Sequence, residues 1–307
     1  FYEKDLYNEL KSGREWVGEQ FDNTTELPYG FTMAGIVDNS TIKVVSNVMA
    51  QSFNGSSFRL FFNDSQITEQ AVQAIPNSQY GNKGRYKADT ITINSSSVLA
   101  ASRSNQVLKY QYLKDPTGRS VGYLNYFLIS LKRKIALYGT QTIFTSSKSL
   151  TNPVSTFQVS TFTPGGTIWD ITDPLNCQIQ AYSLSGTTAS FSASTSSLKS
   201  FVAFTSSGIP SASFESAVPN QNLHGDANVD LVIVTHPDFE AEAQRLANHR
   251  NSHNQLTVKV VTTNQIYNEY SGGKQDVTAI RDFARDIYLK SGKRLKNLIL
   301  FGRCSYD

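Results

Sequence analysis

Asp230-Leu231-Val232-Ile233-Val234-Thr235-His236-Pro237-Asp238-Phe239 decides the fold of the C-terminal third. Four aliphatic residues in a row suit a strand covered on both faces, as in a parallel sheet, because an alternating strand would leave every second one wet. Pro237-Asp238 directly behind them opens a helix, since proline at the first helical position gives up no intrahelical bond. Phe239, Ala243, Leu246 and Ala247 then recur on one helical face. Outward from there, Val258 to Val261 predicts a second strand. A Ser271-Gly272-Gly273 break precedes a second helix with the stripe Ala279, Ile280, Phe283, Ile287 and Tyr288, and Leu298 to Phe301 reads as a third, buried strand entering a turn at Gly302. The β-α-β-α-β order predicts right-handed crossovers and a parallel sheet.

Upstream, the periodicity changes. From Phe1 to about residue 220 the signals are short β-branched and aromatic runs, such as Ile42-Lys43-Val44-Val45, Phe58-Arg59-Leu60-Phe61-Phe62 and Phe201-Val202-Ala203-Phe204, separated by Asn, Ser and Gly. Gly122 to Lys134 carries apolar groups on both faces (Tyr126 and Leu128; Phe127, Ile129 and Leu131), which suits the central strand of a sandwich. Asp115-Pro116-Thr117-Gly118 is a turn. The expectation is a multidomain chain: residues 1–220 a β-rich docking region of one or two β-sandwiches, a linker over Ser216 to Gly225, and residues 226–307 the first βαβαβ part of an α/β domain. Because the sequence stops at Asp307, just past the third strand, it is expected to be a truncated piece of a longer protein.

Composition narrows the class. At 307 residues, two or more domains are expected, and 17% charged residues with a net charge of only +3 leave no clustered basic stripe for nucleic acid. No apolar run reaches the roughly 18 to 20 residues of a spanning helix, and no leader opens the chain, so an exported form would have lost its signal peptide already. Cys177 and Cys304 lie far apart without CxxC spacing; neither a disulfide framework nor a zinc knuckle is indicated, although a single bridge between them stays open.

Several stretches together resemble a known family. They are Gly13-Arg14-Glu15-Trp16-Val17-Gly18-Glu19; Gly122 to Lys134 with Leu137-Tyr138-Gly139; Ile168-Trp169-Asp170-Ile171-Thr172-Asp173-Pro174; Asp230 to Thr235; Ile266-Tyr267-Asn268-Glu269-Tyr270-Ser271-Gly272-Gly273 with Ala279-Ile280-Arg281-Asp282-Phe283; and Leu298 to Asp307. In order and spacing, over essentially the whole length, they resemble the type IX secretion sortases of Bacteroidetes, which are gingipain-like cysteine peptidases. The resemblance implies a gingipain/caspase-like α/β peptidase domain at residues 226–307. It also implies a surface enzyme, peripheral to the outer membrane, that removes the C-terminal signal of secreted cargo and attaches the cargo to anionic lipopolysaccharide. The implied partners are an outer-membrane β-barrel shuttle or anchor protein (PorV-like), cargo C-terminal signal domains and the lipopolysaccharide. The β-rich region is expected to dock on the barrel. The alternatives are a secreted gingipain-type endopeptidase without lipid transfer and a non-catalytic surface-binding module.

In such a family the catalytic His and Cys follow later strands, so both are expected downstream of Asp307 and the chain alone is expected to be inactive. No catalytic, cofactor-binding or metal residue is assigned within it, and no cofactor. Cys304 is accordingly read as a structural thiol. The family pattern Phe-Gly-Asp is replaced by Phe301-Gly302-Arg303, and no role of that Asp passes to Arg303. His236, at the carboxyl end of the first strand, is the histidine best placed to line a cleft. His249 and His253 share the four-residue spacing of a metal pair, but Asn251, Ser252 and Asn254 suggest a solvated helix end, and no acidic base lies between them. Ser271-Gly272-Gly273-Lys274 lacks the spacing of a phosphate loop and reads as a turn. Trp16 and Trp169 are weighed as sugar-stacking residues and read as sandwich core.

Overall fold

The computed structural model describes residues 1–8, 15–99 and 104–303. The chain forms two compact units, one ending at Ser211 and one beginning at Ala212. Among the described residues, no helix is long and apolar enough to cross a membrane, which leaves spanning by strands untouched.

The strands of the first unit pair antiparallel, with one isolated parallel bridge between Ala136 and Ser160. In its first sandwich, one sheet runs Tyr2–Glu3, Ser120–Ser130, Thr41–Ser52, Arg85–Asn94, with Gln20–Phe21 also on Ser120–Ser130. The other runs Glu26–Thr32, Asn105–Leu113, Ser56–Phe62, Ser65–Val72. Val44, Val48, Leu124 and Phe127 from the first meet Phe58, Leu60, Leu108 and Tyr110 from the second in a common core. That Leu124 and Phe127 both point inward, three apart in a structure of period two, has a specific cause. Asn47 pairs with Tyr126 but Val48 with Leu124, so Asn125 is an extra residue that flips the inward face. Polar groups also cross the core: Tyr110 Oη donates to Ser46 Oγ at 2.9 Å, and Ser46 Oγ donates to Gln70 Oε1 at 2.6 Å.

The segment after residue 14 is a clamp. Val17 is buried, and the Gly18 amide donates to Leu124 O at 2.6 Å, an approach that leaves a Cβ only 2.9 Å from that same oxygen. Glu19 accepts from the hydroxyls of Tyr2 and Tyr29 and pairs with Lys4 at 3.2 Å, tying the first strand to the opposite sheet.

The second sandwich packs the sheet Gln141–Thr145, Ser200–Phe204, Thr167–Asp170, Gln178–Ile179 against Val154–Val159, Thr188–Ser194, Ser183–Ser185. Phe157, Phe191 and Phe201 form its aromatic centre, with centroids 4.9 to 5.3 Å apart. The assignment of the tryptophans to the core is corrected here. Trp16 and Trp169 are both part-exposed. In the Thr167–Asp170 strand it is Ile168 that turns inward, so the alternation sends Trp169 outward, edge-on to Phe204.

In the second unit, a parallel sheet runs in the order Val258–Thr262, Leu231–Thr235, Asn297–Phe301. Leu231 and Ile233 face the helix Glu240–Asn254 through Ala243 and Ala247. Val232 and Val234 face the helices Thr263–Tyr270 and Val277–Lys290 through Ile266, Ala279, Phe283 and Ile287. This double cover is why the first strand reads as a continuous apolar run.

Four details depart from the sequence reading. The helix Thr263–Tyr270 was not anticipated. Phe239 and Tyr288 lie outside the buried stripes, with the helix beginning only after a 3-10 turn at Pro237–Phe239. The third strand is not buried throughout, for Leu298 and Leu300 are 43% and 52% exposed. They share a sheet face with Val232 and Val234, but the two helices on that face pack over the other two strands. Finally, the end of the supposed linker is part of the fold: Leu223 is buried in the same core as Val232.

Candidate functional site

Strand order 2-1-3 makes the gap between the first and third parallel strands a topological switch point, where successive connections leave to opposite faces and open a crevice at the carboxyl ends. A cavity of about 510 Å³ lies there. Thr235, His236, Phe301, Gly302 and Arg303 line it from the strand ends, and Thr263, Asn264 and Tyr267 from the helix that follows the second strand. Buried Thr235 fixes the crevice: its hydroxyl donates to Phe301 O at 3.0 Å, locking the two strand ends in register. His236 is oriented by its own chain, with Nδ1 accepting the amide of Asp238 at 3.3 Å and the ring edge-on to Phe239.

The helix from Thr263 is started by a capping box. Thr262 Oγ1 accepts the Gln265 amide, and Gln265 Oε1 accepts the Thr262 amide at 2.9 Å. That reciprocal pair, Thr-x-x-Gln directly after an apolar strand, is the signal through which sequence reasoning could have found Asn264 and Tyr267. The helix ends in the Ser271-Gly272-Gly273 turn, where Gly272 and Gly273 take φ of 61° and 83° and the Gly273 amide returns to Tyr267 O at 2.8 Å. The glycines terminate a helix and are remote from any phosphate role.

A polar cluster holds residues 221–224 on this unit. Glu269 accepts the amides of Leu223 and His224 and the Gln221 side chain, while Tyr270 Oη donates to Asp286 at 2.8 Å. Burial opposes ionisation of Glu269, yet the Leu223 amide and Gln221 outweigh it and hold the carboxyl below its ordinary range. Asp286 is likewise lowered: burial raises it, but Lys290, 2.7 Å away, and Tyr270 prevail.

Of the residues singled out in the sequence, the structure brings His236 and Arg303 together in the crevice and leaves the others elsewhere. His249 and His253 are exposed, their rings stacked at 5.5 Å on a helix that continues through Asn254, and among the described residues no group of three or more potential ligands forms. His224 belongs to the Glu269 cluster. Cys177 is an exposed thiol near Pro174 O; Cys304 lies outside the described residues, and with it the question of a bridge. A further cavity, of about 380 Å³, lies on the first sandwich near Met49, Tyr80, Lys83 and Tyr86.

Comparisons with known proteins bear on the fold and on the C-terminal segment. Residues 224–307 match the model of peptidase family C25. The structure of dimeric latent PorU from Porphyromonas gingivalis aligns with 97% of this chain at a TM-score of 0.77 and 23% identity. The alignment covers 29% of that protein, so the chain spans less than a third of its length. A carbohydrate-binding module, CBM36 in complex with calcium and xylotriose, aligns with 42% of this chain and 89% of its own length at 13% identity, with a TM-score of 0.26 that carries no argument. No curated protein sequence matches the chain. The chain is thus PorU-like in fold, β-rich at first and with a C25-type α/β segment at its C-terminal side.

Proposed function

From a C25-type segment that carries an open crevice at its strand ends, we propose that this chain is part of a cell-surface cysteine peptidase of the type IX secretion sortase kind. The crevice at the switch point is the observation that carries the proposal, because open parallel sheets bind their ligands there. In this reading the chain supplies two sandwiches and the first three strands of the catalytic sheet, and the thiolate and imidazole come from beyond Asp307. Thr235 locks the mouth, and His236 and Tyr267 help to shape it. The whole protein cleaves the C-terminal signal from secreted cargo and joins the new carboxyl end to anionic lipopolysaccharide. The first unit holds it on an outer-membrane β-barrel partner, a role suited to its part-exposed aromatic residues.

The test assays a cargo C-terminal signal peptide with the 307-residue chain and with a protein extended through the downstream peptidase segment. Turnover is expected only in the extended protein, and Cys304→Ala is expected to leave it intact. Turnover by the 307-residue chain that Cys304→Ala abolishes would reverse the assignment of the nucleophile. Co-purification with the barrel partner tests the docking part: residues 1–211 are expected to bind, and binding by residues 212–307 alone would overturn it.

A further inference from the structure

The crevice has an unbalanced charge inventory. Among the described residues no Asp or Glu lines it, and Arg303 is the one formally charged cation, with no ion pair or hydrogen bond to another of them. Of the two acids nearest in sequence, one stands beside the crevice-lining His236 with an exposed carboxylate and the other is engaged in a helix cap. Asp238 faces His236 at 3.4 Å, and Asp276 caps the helix Val277–Lys290 by accepting the Thr278 amide at 2.8 Å. Gly302, with φ of 150°, turns the chain out of the third strand beside Phe239 and brings residue 303 to the cavity wall. The wall is mixed: Phe239, Tyr267, Ile280 and Leu300 give it apolar and aromatic surface, beside the polar Thr263, Asn264 and Gln275.

A guanidinium presents a planar donor fork that matches a carboxylate bidentately, and low-dielectric walls strengthen the contact relative to open water. The same group repels an ammonium. We propose that Arg303 makes the crevice a receptor for a carboxylate carried by a peptide, with the apolar part of the wall taking the methylene groups next to it. This inference deepens the peptide-processing reading above and rests on it. The carboxylate can be an acidic side chain or a free C-terminus, which share the chemistry the fork recognises.

The test is calorimetric titration of the 307-residue chain with four probes: acetyl-Gly-Glu-Gly-amide, acetyl-Gly-Gln-Gly-amide, acetyl-Gly-Lys-Gly-amide, and acetyl-Gly-Gln-Gly with a free carboxyl end. At least one carboxylate probe is expected to bind about tenfold or more tighter than the neutral and cationic amides, as one charge-assisted pair supplies. Comparing the Glu amide with the free-acid probe identifies the source of the carboxylate. Arg303→Ala is expected to erase the preference, and Arg303→Asp to shift it to the lysine peptide. Equal affinity for all four, a preference that survives Arg303→Ala, or no binding of any probe at roughly 10 mM overturns the inference. Its failure is separable from that of the enzymatic reading. Hydrolysis by the extended protein without this selectivity removes only the role of Arg303, whereas selectivity without hydrolysis removes only the peptidase.

Discussion

Glu269 receives the backbone amide of Leu223 on both carboxylate oxygens, at 2.7 and 2.9 Å, and so fastens the segment entering the parallel sheet to the helix Thr263–Tyr270. Because the carboxyl is held below its ordinary value of 4.5, the folded state favours its ionised form. The resulting stability is fully present above that value and is lost as pH falls through the lowered one. Glu269→Gln is expected to destabilise the protein by roughly 2 kcal/mol at pH 7. The gap to the wild type should narrow as pH falls below 4.5. Urea denaturation at pH 7 and at a series of pH values below 4.5 measures this; a gap that is constant with pH would assign the effect to shape alone.

Ser46 links the two sheets of the first sandwich through Gln70 and Tyr110, all of them fully buried. Ser46→Ala strands Gln70 Oε1 and Tyr110 Oη in an apolar core, while Gln70 Nε2 keeps its bond to Ser46 O, and is expected to cost about 1 to 3 kcal/mol. Gln70→Leu combined with Ser46→Ala removes one of the stranded groups, and thermal unfolding should show it recovering part of the loss. An additive double variant would show the two side chains to be uncoupled.

Gly122 faces the same core, and a Cβ there would stand 2.5 Å from Phe58 Cζ and 2.9 Å from Tyr112. Those rings are buried and pack on each other at a centroid distance of 4.7 Å. Gly122→Ala is expected to destabilise by about 1 to 3 kcal/mol through overpacking. Adding Phe58→Leu should restore some of that stability in chemical denaturation, because it removes the atom that clashes.

Residues 1–211 contain one α-helix among the described residues, Ser95–Val98, and otherwise strands and short 3-10 turns. Far-UV circular dichroism of that segment is expected to be β-dominated. A pronounced pair of helical minima would contradict the sandwich architecture.

Local pattern was enough for the parts of this protein that obey one period. The apolar run Leu231 to Val234, the proline-opened helix behind it and the stripe Ala279, Phe283, Ile287 announced a parallel α/β unit, because burial on two faces or one writes itself into neighbouring residues. The same held for the alternating runs upstream. His236 and Arg303 could be placed at strand ends by chain position alone. That they line one crevice follows from the 2-1-3 strand order, which pairs residues 66 apart in the chain, such as Thr235 and Phe301. Tertiary structure also decided which face Phe127 takes, since the extra residue Asn125 is defined only against the partner strand. It turned a polar stretch around Leu223 into a docked segment through the distant Glu269, and it left Leu298 and Leu300 open because the helices on their face cover other strands. Each of these outcomes depends on a contact between segments remote in sequence, and a one-dimensional period cannot encode which remote neighbour a residue will meet.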